Sequence, residues 1–94
     1  MDRNELLVRS GEIVNGPRQD QYGPARENFQ DIAIGWSVIT GEDIDREKVP
    51  MMMAWLKLVR LSHASDHQDS WVDLAGYAAL GCEIATTLGE DNDY

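Results

Sequence analysis

The sequence contains little cysteine, few basic residues and no long apolar run. Its single cysteine, Cys82, cannot form an internal disulfide, and its small and apolar neighbours predict a buried thiol. Eight Lys and Arg residues stand against 17 Asp and Glu residues, which gives a formal net charge of −9. Such a field repels the phosphates of DNA and RNA, so nucleic acid is not expected as a partner.

Membrane segments and several kinds of catalytic motif are also missing. No charged and then apolar leader opens the chain, and no apolar stretch is long enough to span a bilayer, so a cytoplasmic protein without a membrane partner is expected. The sequence has no CxxC pair, no serine or cysteine nucleophile motif and no glycine-rich phosphate loop. We therefore predict no catalytic residue, no metal site and no cofactor.

The composition that remains is typical of a folded protein. Apolar residues make up 43% of the chain and charged residues 27%, which is unlike the composition of disordered segments. We expect residues 1–94 to form a single helical domain. Because so short a chain buries only about 60 to 65% of the surface that its unfolded form exposes, we also expect a homo-oligomer.

Apolar residues recur at helical intervals in four segments. Asp2 and Glu5 have the spacing of a capping box, Pro24 and Pro50 suit first helical turns, and Gly89 precedes an acidic tail at 89–94. The predicted fold is all-α, a compact four-helix domain with a central antiparallel hairpin of the third and fourth helices. The helices are predicted at 3–15, 24–40, 49–63 and 69–88.

The third and fourth helices have distinctive compositions. The third is so apolar that its side chains are expected in the core, Met52, Leu56 and Val59 among them. The fourth contains Gly76 and Gly81, and glycine inside a helix costs about 1 kcal/mol relative to alanine. The fourth helix should therefore lie at the centre of the chain or form a seam with a second copy.

A polar seam is predicted between these two helices. A short turn centred near Asp66 places Arg60 beside Asp73, with Lys57 and Tyr77 each one turn further along. One interpretation is that ion pairs hold the helix register. The other is that Lys57 and Arg60 bind a phosphate while Asp73 orients them or accepts from a sugar hydroxyl.

Two histidines near the turn are candidate metal ligands. His63 and His67 are four residues apart, with Asp66 and Asp69 close in sequence. A break in the helix separates them, so their spacing does not place them on one face. We therefore predict no metal at this position.

The segment between the first two helices is longer than a helix connection requires. It contains amide, guanidinium and aromatic groups, and Arg26 and Asn28 continue these donors onto the second helix. It is either a solvated connector or a loop that closes over a small polar ligand. Tyr22, together with Trp71 on the fourth helix, could stack on a base.

Four stretches, "VNGPRQDQYG", "ENFQDIAIGW", "MMMAWLKLVRL" and "HQDSWVDLAGYAAL", resemble a family of small phage proteins of unknown function over residues 5–85. The chain is similar, more distantly, to the nucleotide-modification-associated helical domain and through it to MazG-like nucleotide pyrophosphatases. This resemblance implies an all-α domain that oligomerises and handles a nucleotide. The ExxE pair of the MazG-like enzymes is not evident, and Ser70 stands where their ExxD pair has glutamate, before Asp73. Binding without cleavage follows from that departure.

We therefore predict that the chain binds and sequesters a phosphorylated nucleotide-type molecule. By analogy with phage sponges, the ligand would be a host immune signal such as a cyclic nucleotide or an ADP-ribose derivative. The alternatives are a magnesium-dependent MazG-like pyrophosphatase and a non-catalytic protein-binding adaptor, so enzymatic activity is left open, with binding favoured. The predicted ligand-binding residues are Arg18, Gln19, Tyr22, Gly23, Asn28, Lys57, Arg60, Trp71, Asp73 and Tyr77.

Overall fold

The computed structural model describes residues 1–16 and 24–92, the last five as backbone alone. Its four helices confirm the predicted all-α four-helix fold. The final helix continues past Gly89, where we expected it to end, because one glycine lowers helix stability by only about 1 kcal/mol and does not stop a helix by itself. The helices are α1 (Arg3–Asn15), α2 (Ala25–Thr40), α3 (Lys48–His63) and α4 (Gln68–Asn92).

Local hydrogen bonds explain where the helices begin. The Asp2 carboxylate accepts a hydrogen bond from the Glu5 backbone N–H at 2.9 Å, and this bond lowers the pKa of Asp2. Before α4, the Nδ1 atom of His67 accepts from the backbone N–H of Ser70 at 3.3 Å and lies 2.7 Å from the Ser70 hydroxyl. His67 therefore caps α4, and Ser70 beneath it is fully buried.

The α4 helix lies at the centre of the fold. It packs along α3 in the predicted antiparallel hairpin and against α1 on another side. The hydrophobic core joins α2 to α3 and α4. Its buried members include Phe29 and Ala33 from α2, Val49 from α3, and Leu80 and Ile84 from α4.

The two glycines of α4 lie where neighbouring helices approach closely. A Cβ atom at Gly76 would lie 3.1 Å from a methyl carbon of Val14 on α1. One at Gly81 would lie 3.2 Å from the Pro50 ring on α3. Glycine at both positions therefore allows close packing of helices within the chain. This agrees with the expectation that α4 lies at the centre of the chain.

The prediction that Cys82 is buried was wrong. Its side chain is exposed, as are those of Ala78 and Ala85 on the same side of α4. Small size predicted burial, but neither α1 nor α3 covers this side of the helix. The small residues at these positions therefore leave a shallow surface.

The prediction that α3 is a core helix was also wrong for most of its apolar side chains. Leu61 is buried and Met53 is half-buried, but large residues on the opposite side are open to solvent. The helix is apolar almost all round, while only one of its sides faces α4. The exposed apolar residues of α3 are Met51, Met52, Trp55, Leu56, Leu58 and Val59.

None of the helices in the described ranges is long and apolar enough to cross a membrane.

Candidate functional site

A cleft of about 500 Å³ lies between the end of α1, the start of α2 and the second half of α4. Small-molecule sites in proteins typically have volumes of about 300 to 1,000 Å³, so the cleft can hold a ligand the size of a nucleotide. Its walls combine apolar residues with a cation, two carboxylates and an amide. The lining residues are Val14, Asn15, Pro24, Ala25, Arg26, Glu27, Leu80, Glu83 and Ile84.

The amino end of α2 forms one wall of the cleft. Pro24 precedes the helix, and its carbonyl accepts the first helical hydrogen bond from the N–H of Asn28 at 3.1 Å. No side-chain hydrogen bond caps this end. The first amides of an α-helix have no partner inside the helix, and they carry the positive end of its dipole. This wall is therefore suited to an anionic group.

Arg26 brings a cation to the same wall. Its Nη2 donates a hydrogen bond to the Thr87 hydroxyl at 3.2 Å, so the half-buried side chain reaches from α2 to α4. An arginine remains charged at any ordinary pH and can bind a phosphate with two parallel hydrogen bonds. The cleft thus has both a fixed positive charge and a helix amino end.

Acceptor groups line the rest of the cleft. Glu27 and Glu83 are both exposed, and their carboxylates only accept hydrogen bonds. The Asn15 side chain donates from Nδ2 to the Gly11 carbonyl at 2.8 Å. A cleft with one cation, a helix amino end and two carboxylates suits a ligand that has both a phosphate and neutral donors, such as sugar hydroxyls or a ring amine.

The polar seam between α3 and α4 forms with a different partner from the one predicted. Lys57 Nζ lies 3.0 Å from Asp73 Oδ2, with the lysine side chain 12% exposed and the aspartate 38% exposed. We had placed Arg60 opposite Asp73. Lys57 and Asp73 are equally distant in sequence from Ser65 in the connection between the helices, so the register of the hairpin pairs them. Arg60 lies one helical turn closer to this connection and is exposed.

Asp73 and Tyr77 line a pit of about 40 Å³ between α1 and α4. The pit shares Val14 and Leu80 with the cleft, so the two hollows adjoin. A pit of about 40 Å³ has room for water, but it is far below the roughly 150 Å³ of a cavity that binds a benzene ring. The pit is too small for a base or a sugar, and Arg60 lines neither hollow.

Trp71 lies away from the cleft. Its Nε1 donates to the Ser65 carbonyl at 2.8 Å, and its half-exposed ring lines a separate hollow of about 170 Å³ beside the start of α1. Twelve residues of helix, about 18 Å, separate Trp71 from Glu83 in the cleft. The structure therefore does not bring Trp71 together with Arg26.

Four of the predicted ligand-binding residues, Arg18, Gln19, Tyr22 and Gly23, lie outside the described residues. Asn28 is half-buried on α2, and the ligand-binding roles of all ten residues stay predictions. Asn15, Glu27 and Glu83 were not among the predicted residues, and Arg26 was expected only to continue the donors of the preceding segment. The sequence contained one signal for this site: Pro24 marks the start of a helix, and a cation, Arg26, lies in the first turn of that helix.

The described side chains do not form a recognisable metal centre. Over residues 1–16 and 24–87, no three His, Cys, Asp or Glu side chains are grouped so that they could hold a metal ion. His67, one of the two candidate ligands near the turn, uses Nδ1 to cap α4.

Comparison with known proteins confirms the resemblance to phage proteins of unknown function. Residues 5–85 match the family model described as Domain of unknown function (DUF6378). The chain is 41% identical over 90 residues to the Gene 55 protein of Mycobacterium phage L5, across 95% of this chain and 56% of that protein. It is 36% identical over 77 residues to the Gene 55 protein of Mycobacterium phage D29, across 82% of this chain and 50% of that protein. The chain thus spans about half the length of these relatives, and no solved structure matches it.

Proposed function

The chain belongs to the DUF6378 family, a domain of unknown function with phage relatives, and we propose from the geometry of its cleft that it binds a phosphorylated nucleotide-type molecule and holds it intact. The binding site is the cleft between α1, α2 and α4. The role is sequestration of a host signalling nucleotide, a cyclic nucleotide or an ADP-ribose derivative, in the cytoplasm of the host. Self-association of the chain is part of this proposal.

The observation that carries the proposal is the meeting of the α2 amino end with Arg26 in a cleft of about 500 Å³. A phosphate placed there accepts from the first amides of α2 and from the guanidinium. Glu27 and Glu83 then accept from the hydroxyl or amino groups of the same ligand. These local groups can hold an anion even though the formal net charge of the chain is −9, because the contacts are short and directional.

Two features support binding without cleavage. Metal-assisted hydrolysis of a nucleotide needs carboxylates that converge on the metal and the phosphates, whereas in the part of the chain that the structure describes no three His, Cys, Asp or Glu side chains are grouped to hold a metal ion. Ser70, at the position where the MazG-like pattern has a glutamate, is fully buried and hydrogen-bonded to His67. A side chain in that position cannot reach a ligand in the cleft.

The test is a binding screen with cyclic and linear nucleotides and ADP-ribose derivatives, by thermal shift and then calorimetry, with and without magnesium. We expect saturable stabilisation by at least one compound and recovery of that compound intact after denaturation. Release of pyrophosphate or monophosphate in catalytic amounts would favour the pyrophosphatase. Absence of any response would favour the protein-binding adaptor.

A pair of variants locates the site. Arg26→Gln should weaken binding by about 10- to 150-fold, because it removes a charge-assisted contact worth about 1.5 to 3 kcal/mol. Thr87→Val removes the hydroxyl that Arg26 contacts but keeps the guanidinium, so it serves as the matched control and should bind nearly as the unmodified chain does. Equal weakening by both variants would mean that the Arg26–Thr87 contact only supports the fold.

A further inference from the structure

The outer side of α3 is an apolar ridge. Met51, Trp55 and Leu58 follow one another at intervals of four and three residues, so their side chains lie in one row. Trp55 is 70% exposed and Met51 is 62% exposed, and Met52 and Val59 widen the row on one side. Large aromatic and methionine side chains in contact with water are characteristic of interaction surfaces rather than of an ordinary exterior.

A groove runs beside this ridge, between α3 and α4. Its volume is about 280 Å³, and its walls are almost entirely apolar. Pro50 packs closely on Gly81 at the groove, and the exposed small residues Ala78 and Cys82 form its α4 side. The groove is smaller than the roughly 300 Å³ at which sites for drug-sized molecules begin, but it can accept a bulky side chain.

Charged groups are scarce along both sides of the groove. Residues 49–59 of α3 contain one charged residue, Lys57, which is 12% exposed and paired with Asp73. Residues 74–82 of α4 contain none. In a chain with 27% charged residues, such a stretch leaves an apolar centre, while Glu47 and Lys48 at one end of α3 and His63 at the other supply a polar rim.

We infer that this surface binds a second copy of the chain, with the α3 ridge of each copy seated in the α3/α4 groove of the other. A twofold axis makes the contact self-complementary, because each copy supplies both a ridge of large side chains and a groove of small ones. The four facing helices then form a bundle.

The exposed area fits this partner. The apolar side chains on the outer side of α3 expose roughly 600 Å² in all, and the small residues of α4 add to that, compared with about 800 Å² per partner in an interface of standard size. A lipid surface fits less well, because the chain has a formal net charge of −9 and anionic headgroups would repel it.

The contact leaves the cleft open. Leu80, Glu83 and Ile84 of α4 line the cleft, whereas Ala78 and Cys82 line the groove on another side of the same helix. The inference is therefore independent of ligand binding and holds whether or not the cleft binds a nucleotide.

Sedimentation of the whole chain from low to high micromolar concentration tests the inference. We expect a dimer, twice the 10.6 kDa of one copy, that dissociates on dilution. Trp55→Glu on the ridge and Ala78→Arg in the groove should each weaken it by about 30-fold or more, as expected for residues at the centre of an interface. Leu7→Glu is the matched control, because Leu7 is 63% exposed on α1, away from this surface, and it should dimerise normally.

Two further readouts distinguish this interface from other associations. Cys82 should react with a thiol reagent more slowly as the protein concentration rises, because the partner covers it. Added salt should strengthen the dimer, since it screens repulsion between two acidic chains. A monomer at every concentration, a dimer that Leu7→Glu disrupts equally, a Cys82 reaction rate independent of concentration, or a dimer weakened by salt would each overturn the inference. Circular dichroism establishes that the variants are folded.

Discussion

Two glycine-to-alanine substitutions separate helix propensity from packing in this fold. Gly35 lies in α2, and a Cβ atom added there meets no atom within 4 Å. Gly35→Ala should therefore stabilise the chain by about 1 kcal/mol, the propensity difference between the two residues. Gly81→Ala should gain the same amount, but its Cβ would lie 3.2 and 3.4 Å from two carbons of the Pro50 ring.

The Pro50 ring can adjust only by a change of ring pucker, which moves Cγ but leaves Cβ close, so full relief of the contact requires α3 to move away from α4. Overpacking of this kind costs about 1 to 3 kcal/mol, which offsets or exceeds the propensity gain at Gly81. We therefore expect Gly81→Ala to be less stable than Gly35→Ala by about 1 to 3 kcal/mol. For a domain of this size, each 1 kcal/mol shifts Tm by roughly 4 to 8 °C.

The assay is urea denaturation followed by circular dichroism, with both variants made in a Trp55→Glu background so that dimerisation does not affect the comparison. An unchanged m value would show that only stability differs. If Gly81→Ala proves as stable as Gly35→Ala, the close approach of Pro50 to α4 is wrong, and with it the packing reason for glycine at that position.

Two other predictions concern charges. The N–H of Glu5 lowers the pKa of Asp2, so the contribution of this cap is fully present above the unfolded pKa and is lost as the pH falls through the folded pKa. Asp2→Asn still caps the helix but does not titrate. The free energy of unfolding of this variant, relative to that of the unmodified chain, should therefore rise on acidification below about pH 4, as measured by urea denaturation. A difference that stays constant with pH would contradict this. In the Lys57–Asp73 pair the lysine is the more buried partner. Asp73→Ala leaves the buried ammonium without its carboxylate, so it should lower the free energy of unfolding by about 1 to 3 kcal/mol, and by more than Lys57→Met does. The reverse order of the two variants would refute the assignment.

The helices and their order could be predicted from the sequence because their signals are local. Asp2 begins α1 through its own side chain, Pro24 precedes α2, and a short turn makes α3 and α4 antiparallel. The glycines of α4 also indicated close packing, as Gly76 and Gly81 show. Each of these signals depends on residues within a few positions of one another, so it can be recognised in the sequence without knowledge of the tertiary structure.

Tertiary structure alone decided which sides of the helices are covered. The α3 helix is apolar almost all round, so its periodicity could not predict that Trp55 faces solvent while Leu61 is buried. The pairing of Lys57, rather than Arg60, with Asp73 depends on the register of the whole hairpin. The cleft arises where α1 ends, α2 begins and α4 passes, which brings Arg26 to within 3.2 Å of Thr87 across 61 residues of chain. Burial and site formation depend on residues distant in sequence, and only their packing in three dimensions determines them.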